Sequence, residues 1–254
     1  LIERFERQFA APLLPTWVFG NHDRRRRISR LGGSLELAKL NAALQLTARG
    51  VPFLYNGEEV GIEQHRLPVR ASLDAVVHRF RAWPQPLFDL VCTLAGESLN
   101  RDECRTPMQW SDAANAGFCP ADATPWLPVT PSYRERNVAV QQRDPESLWH
   151  CYRRLLAARR GSAALRRGSL QLLPAVELPA EVVGFVRRAD DGEAPREVRV
   201  LLNCGATAAD VRVGADSVPW VSTRARLPEV RGGTVRLRPW EGLLLTPAPA
   251  PAPA

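Results

Sequence analysis

The sequence predicts an α/β fold followed by a small antiparallel β domain. Two short apolar runs, 16–19 and 51–55, each stop on polar side chains and are separated by a helical stretch, which is the pattern of a βαβ unit. Beyond Gly168 the pattern changes to short alternating runs divided by Gly, Pro, Asn or Asp, as in an antiparallel β domain or sandwich. With 254 residues, 45% of them hydrophobic, the chain can bury one substantial core and a second smaller one.

Residues 1–9 set Leu1, Phe5 and Phe9 four apart among charges, one face of a helix. Pro15 then turns the chain into the first strand. Its apolar body is expected to be buried in a parallel sheet, with only its last residues able to reach a ligand. Asn21, His22 and Asp23 follow, and two readings fit them. They form a candidate site at the carboxyl end of the strand, or a polar turn in which Asn21 and Asp23 bond their own backbone. The basic loop from Arg24 to Arg30 reads either as solvated surface or as a wall that turns one or two arginines toward a substrate.

Ser34 caps a helix running through Leu35, Leu37, Leu40, Leu44 and Leu46 to a stop at Gly50. The second strand, 51–55, closes on Asn56, Gly57, Glu58 and Glu59. A βαβ connection puts that loop beside Asn21, His22 and Asp23. From residue 60 to about 146 periodicity fades among Trp83, Pro84, Pro86, Trp110, Trp126 and Pro128; so long a stretch without clear elements is expected to serve a site. Asp144-Pro145-Glu146 starts a helix whose buried stripe is Leu148, Tyr152, Leu155 and Leu156, ending at Gly161. Strands are expected at 169–173, 182–187, 198–202, 211–213, 234–237 and 243–245. The Pro-Ala repeat at 247–254 reads as a stiff linker or disordered tail. The domain division is therefore 1–167, 168–246 and 247–254.

The formal charge of +7 would ordinarily suggest nucleic acid as a partner. However, Lys39 is the sole lysine among 34 basic residues, and the arginines are scattered among 27 acids, so the excess reads as coding bias and no nucleic-acid partner is expected. Five cysteines without a C-x-x-C spacing argue against a disulfide framework and a zinc site, and for reduced thiols in a cytoplasm. No metal and no cofactor are expected. No apolar run reaches about 18 residues, so no membrane span is expected either.

The string from Phe19 to Asp23, with Arg26 beyond it and Ser29-Arg30-Leu31-Gly32 after, resembles the Asn-His-Asp region of the α-amylase superfamily of glycoside hydrolases. Residues 50–61, from a Gly-x-Pro start to a Gly-x-Glu end, are similar to that superfamily's last barrel strand. Arg101-Asp102-Glu103-Cys104-Arg105-Thr106-Pro107-Met108-Gln109-Trp110, with Asn115-Ala116-Gly117-Phe118 and Pro125-Trp126-Leu127-Pro128 after it, resembles the branch of α-glucosidases and oligo-1,6-glucosidases. Arg27 departs from the family pattern, which has an aliphatic residue there.

The resemblance implies a (β/α)8 TIM barrel of which only strands 7 and 8 are present, followed by a small antiparallel β-sandwich domain. It implies that Asp23 is the third carboxylate of the site, a transition-state stabiliser. The nucleophilic Asp and the general-acid Glu would lie on earlier strands. His22, Asn21, Arg105 and Arg26 are implied as substrate-binding, Arg105 at the outer hydroxyls of a terminal glucose. The pairing of Arg105 with Asp102 is the alternative for that arginine. Glu58 and Glu59 are expected to anchor their loop, and Trp110 and Trp126 to fill the core beneath it. The substrate implied is a small carbohydrate, and the activity is hydrolysis of short α-linked glucosides. The alternatives are glucosyl isomerisation or transfer on sucrose or trehalose, and a non-catalytic subunit like the transporter heavy chains that share the fold. The chain alone is expected to be inactive and marginally stable, with apolar strand faces uncovered.

Overall fold

The computed structural model describes residues 2–96, 98–192 and 194–248. Its first helix, α1 (Ile2–Gln8), stacks Phe5 on Trp17 with ring centroids 4.8 Å apart. The first strand, β1 (Thr16–Val18), is followed by the single turn α2 (Arg27–Arg30), the helix α3 (Leu35–Thr47) and the strand β2 (Val51–Phe53). Ser34 caps α3 as its sequence position suggests, its Oγ accepting from Leu37 N at 3.2 Å.

β1 and β2 pair with each other. Gln45 of α3 ties both, donating to Trp17 O at 2.9 Å and Phe53 O at 2.8 Å. Gly50 sits between helix and strand at φ +130, where a Cβ would fall 2.3 Å from Pro15 O, so only glycine fits. The expectation of fully buried strands needs correction. Trp17 is buried, but Val18, Val51 and Phe53 are exposed, Phe53 by 53%. A strand is covered on both faces only when elements pack on each side, and among the described residues this sheet has two strands.

The stretch expected to be irregular contains α4 (Ala75–His78), α5 (Gln85–Leu94) and α6 (Val138–Gln141), with single 3-10 turns between them. The longest of these unexpected elements is α5. Pro86 occupies its first turn, where a missing N–H costs nothing, and Phe88 is buried against Val69 and Val77. Trp110 and Trp126 do not fill the core: both are about half exposed. A second core of this stretch is Val60, Ile62 and Met108, with Val138 and Trp149 packed on it.

The helix α7 (Leu148–Gly161) buries Leu148, Cys151, Tyr152, Leu155 and Ala158, while Leu156, expected in the stripe, is exposed. Ser162 caps α8 (Ala163–Arg167) by accepting from Leu165 N. Eight strands follow: β3 (Ser169–Leu172), β4 (Val182–Arg188), β5 (Glu197–Asn203), β6 (Ala209–Arg212), β7 (Ser217–Ser222), β8 (Val230–Arg231), β9 (Thr234–Leu237) and β10 (Gly242–Pro247). They form a five-stranded sheet in the order β3-β4-β5-β10-β7 and a three-stranded sheet in the order β6-β9-β8. Val182, Leu201, Leu243 and Leu245 of the first share one core with Val211, Val235 and Leu237 of the second.

The sequence reading missed β7 and β8. β7 holds Pro219, which a central strand excludes; here it pairs only with β10, at an irregularity in register. Pro247, read as the start of the tail, is the last residue of β10, and residues 249–254 of that repeat lie outside the described residues. Arg187 of β4 is wholly buried; it donates to the carbonyls of Ser169, Gly168 and Thr47, the last at the carboxyl end of α3, where a cation is favoured.

Val18–Ala38 together with Leu54–Trp149 form one compact unit, and the rest of the described chain forms the other. Every residue of the candidate site lies in the first.

Candidate active site

Where β1 ends, the chain passes Phe19 and Gly20 into a tight turn. Gly20 has no room for a side chain, because a Cβ there would meet Glu58 Oε1 at 2.2 Å. The loop 20–23 is therefore pressed against the loop 56–59, as the βαβ pattern requires. Glu58 anchors that second loop by accepting from Tyr55 N at 3.2 Å, and Glu59 by accepting from Gly57 N at 2.9 Å. Burial raises the Glu58 carboxyl above its usual range.

Asn21 makes the turn: its Oδ1 accepts from Asp23 N at 2.9 Å. This brings Asp23 to the centre of a polar cluster. Asp23 Oδ1 accepts from Arg105 Nη2 at 3.1 Å and from Arg101 Nη1 at 3.3 Å, while its Oδ2 lies 3.3 Å from His22 Nε2. Arg105 also donates through Nε to His22 O at 2.9 Å, and Cys104 Sγ reaches the same carbonyl at 3.3 Å. Burial raises the Cys104 thiol, which favours its donor form. Arg105 is thus directed at the turn and does not take up the alternative pairing with Asp102.

Beneath the cluster lies Tyr55, whose hydroxyl donates to Cys104 O at 3.1 Å and whose phenol is raised by burial. The Arg26 guanidinium stacks on its ring, 4.6 Å from the centroid, and donates to Asn56 O. Arg26 is buried, which lowers its guanidinium, so it stands under the rim while Asn21, His22, Asp23 and Arg105 form it. Arg27, at the position that departs from the family pattern, lays its guanidinium over the Phe19 ring at 5.0 Å.

Two residues of the cluster carried no role in the sequence reading. Arg101 was visible only as part of a string, and Asp74 lay in the stretch without periodicity. Asp74 is fully buried and accepts from Arg101 through both oxygens, at 2.7 Å to Nη2 and 2.8 Å to Nε. The Arg101 hydrogen bonds hold the Asp74 carboxyl well below the usual carboxylate range, and Asp74 in turn raises the guanidinium. Asp102, also buried, accepts from Leu73 N, Asp74 N and Ser72 Oγ, which fixes the segment carrying Asp74 to the turn Arg101–Cys104. Among the described residues, no three or more His, Cys, Asp or Glu side chains are gathered as a metal site.

Residues 1–168 match the family described as "Alpha amylase, catalytic domain". The chain is 32% identical over 228 residues to a probable α-glucosidase of Rhizobium meliloti (strain 1021), a match covering 88% of this chain and 37% of that protein. It is 33% identical over 166 residues to the oligo-1,6-glucosidase of Parageobacillus thermoglucosidasius, covering 60% of this chain and 28% of that one. Among solved structures, trehalulose synthase MutB from Pseudomonas mesoacidophila MX-45 superposes with a TM-score of 0.77 at 27% identity, over 96% of this chain and 45% of that one. The chain thus spans about a third of the length of these curated relatives, and what it shares with them is part of a (β/α)8 fold.

Proposed function

The chain belongs to the α-amylase family, and from that premise we propose that it is the carboxyl-terminal part of a retaining α-glucosidase acting on short α-linked glucosides. On this reading residues 1–167 supply strands 7 and 8 of the barrel and the long loop after strand 8. Residues 168–247 are a β-sandwich. The five free cysteines suit a cytoplasmic enzyme. The observation that carries the proposal is the convergence of His22 and Arg105 on the Asp23 carboxylate.

A retaining glycosidase forms a covalent glycosyl intermediate between two carboxyl groups about 5 Å apart, through an oxocarbenium-like transition state. In the proposed enzyme the preceding strands supply those two groups. Asp23 accepts hydrogen bonds from the 2- and 3-hydroxyls of the glucosyl ring, and these strengthen as the ring flattens and gains charge, which is differential binding. His22 donates to a hydroxyl of the same ring. Arg105 binds the outer hydroxyls and closes the pocket, Asn21 keeps the turn, and Arg26 supports the rim through Tyr55.

Similarity to a trehalulose synthase favours a second reading, in which another sugar captures the glucosyl intermediate in place of water. The test is a longer polypeptide carrying this segment, assayed on p-nitrophenyl α-glucoside and on sucrose. Release of α-glucose as the first anomer is the expected result; re-linked glucose and fructose would move the assignment to an isomerase, and no turnover would reject both. The 254-residue chain alone should release no p-nitrophenol, and measurable release would overturn the partial-enzyme reading.

A further inference from the structure

Arg105 and Arg101 both donate to Asp23 Oδ1, but they are anchored differently. The second bond of Arg105 goes to His22 O, in the same turn as Asp23, so both of its side-chain bonds end on the turn it holds. Arg101 is held from elsewhere. Its Nε and Nη2 form a two-pronged fork on Asp74, at 2.8 and 2.7 Å, and its own backbone N donates to Asp74 Oδ2 at 3.1 Å. Asp74 is itself fixed, fully buried and capping α4 by accepting from Val76 N at 3.0 Å. A planar guanidinium bound along one edge has its remaining nitrogen fixed in direction, and that nitrogen, Nη1, points at Asp23 Oδ1 at 3.3 Å. Oδ2 is left facing His22 Nε2.

We propose that Arg101, locked by the buried Asp74 carboxylate, is a positioning residue that holds Asp23 by Oδ1 and so presents Oδ2, beside His22, as the oxygen for a sugar hydroxyl. The sugar rests on the α-glucosidase reading; the geometry does not. Two variants separate positioning from mere support. Asp74→Asn keeps an oxygen for the α4 cap and loses the charge that fixes the fork. Arg101→Lys keeps a charge but cannot span both carboxylates.

In the 254-residue chain, the 13Cγ resonance of Asp23 and the Nε–Hε resonance of Arg105 should both move in Asp74→Asn, although Asp74 touches neither side chain. In the longer active polypeptide, kcat per titrated active site should fall about tenfold or more in both variants, with KM changed less than about threefold. A structural role alone would lower the yield of folded protein and leave kcat per site and the Asp23 resonance unchanged; that result overturns the proposal. If the unaltered polypeptide turns over no α-glucoside, the glucosidase reading fails, and the Asp23 resonance in Asp74→Asn still decides the positioning.

Discussion

Arg105 and Asp23 stand 82 residues apart and meet at two points, Arg105 Nη2 on Asp23 Oδ1 at 3.1 Å and Arg105 Nε on the carbonyl that precedes Asp23 at 2.9 Å. One planar side chain thereby fixes both a carboxylate and the turn that bears it.

Replacing Asp23 by Asn keeps the shape of the side chain and removes its charge. In the longer polypeptide proposed above, turnover should fall by at least tenfold, about 1.4 kcal/mol of transition-state stabilisation, with the circular dichroism spectrum unchanged. A smaller loss, measured as kcat/KM on an aryl α-glucoside, would remove Asp23 from the role of transition-state stabiliser.

The pH dependence of folding should carry the signature of Asp74. Its carboxyl is held below the usual range by Arg101, so its stabilisation is complete above the unfolded-state pKa of about 3.9 and is lost as pH falls below that value. Urea midpoints of the chain should therefore decline more steeply on acidification than those of Asp74→Asn. Parallel curves from pH 5 to pH 3 would contradict the strong Arg101–Asp74 pair.

Gly50→Ala combines a positive φ with a Cβ 2.3 Å from Pro15 O, and backbone cannot give way as a flexible side chain can. A loss of about 2 kcal/mol or more is expected. Denaturant unfolding followed by tryptophan fluorescence checks it, since Trp17 of the adjoining strand is bonded through Nε1 to Arg49 O at 2.8 Å. A neutral outcome would mean that β1 and β2 pair less closely than described.

Leu237 is wholly buried in the core shared by the two sheets. Truncation to Ala should cost 2–5 kcal/mol in the unfolding of the β domain, read by urea denaturation; a loss below about 1 kcal/mol would imply a core that collapses easily around the missing side chain.

The sequence alone determined the strand-helix-strand order around Ser34 and Gly50, the alternating strands beyond Gly168, and the polar turn at Asn21, His22 and Asp23. These are local signals, namely a cap, a helix stop, a period of two and a cluster of turn residues, and each is written within about ten neighbouring positions. The turn reading is realised at Asn21, whose Oδ1 accepts from the Asp23 backbone, and the Asp23 side chain meets Arg105 and Arg101. Only the tertiary structure decided what surrounds that carboxylate. Asp74 lay in sequence without periodicity, α5 was hidden by its prolines, and Trp110 and Trp126 proved to be surface residues. The pairing of Arg101 with Asp74 and Asp23 joins three segments, 27 and 78 residues apart. A bond between distant segments leaves no spacing in the chain to read, because its length is set by packing and not by periodicity.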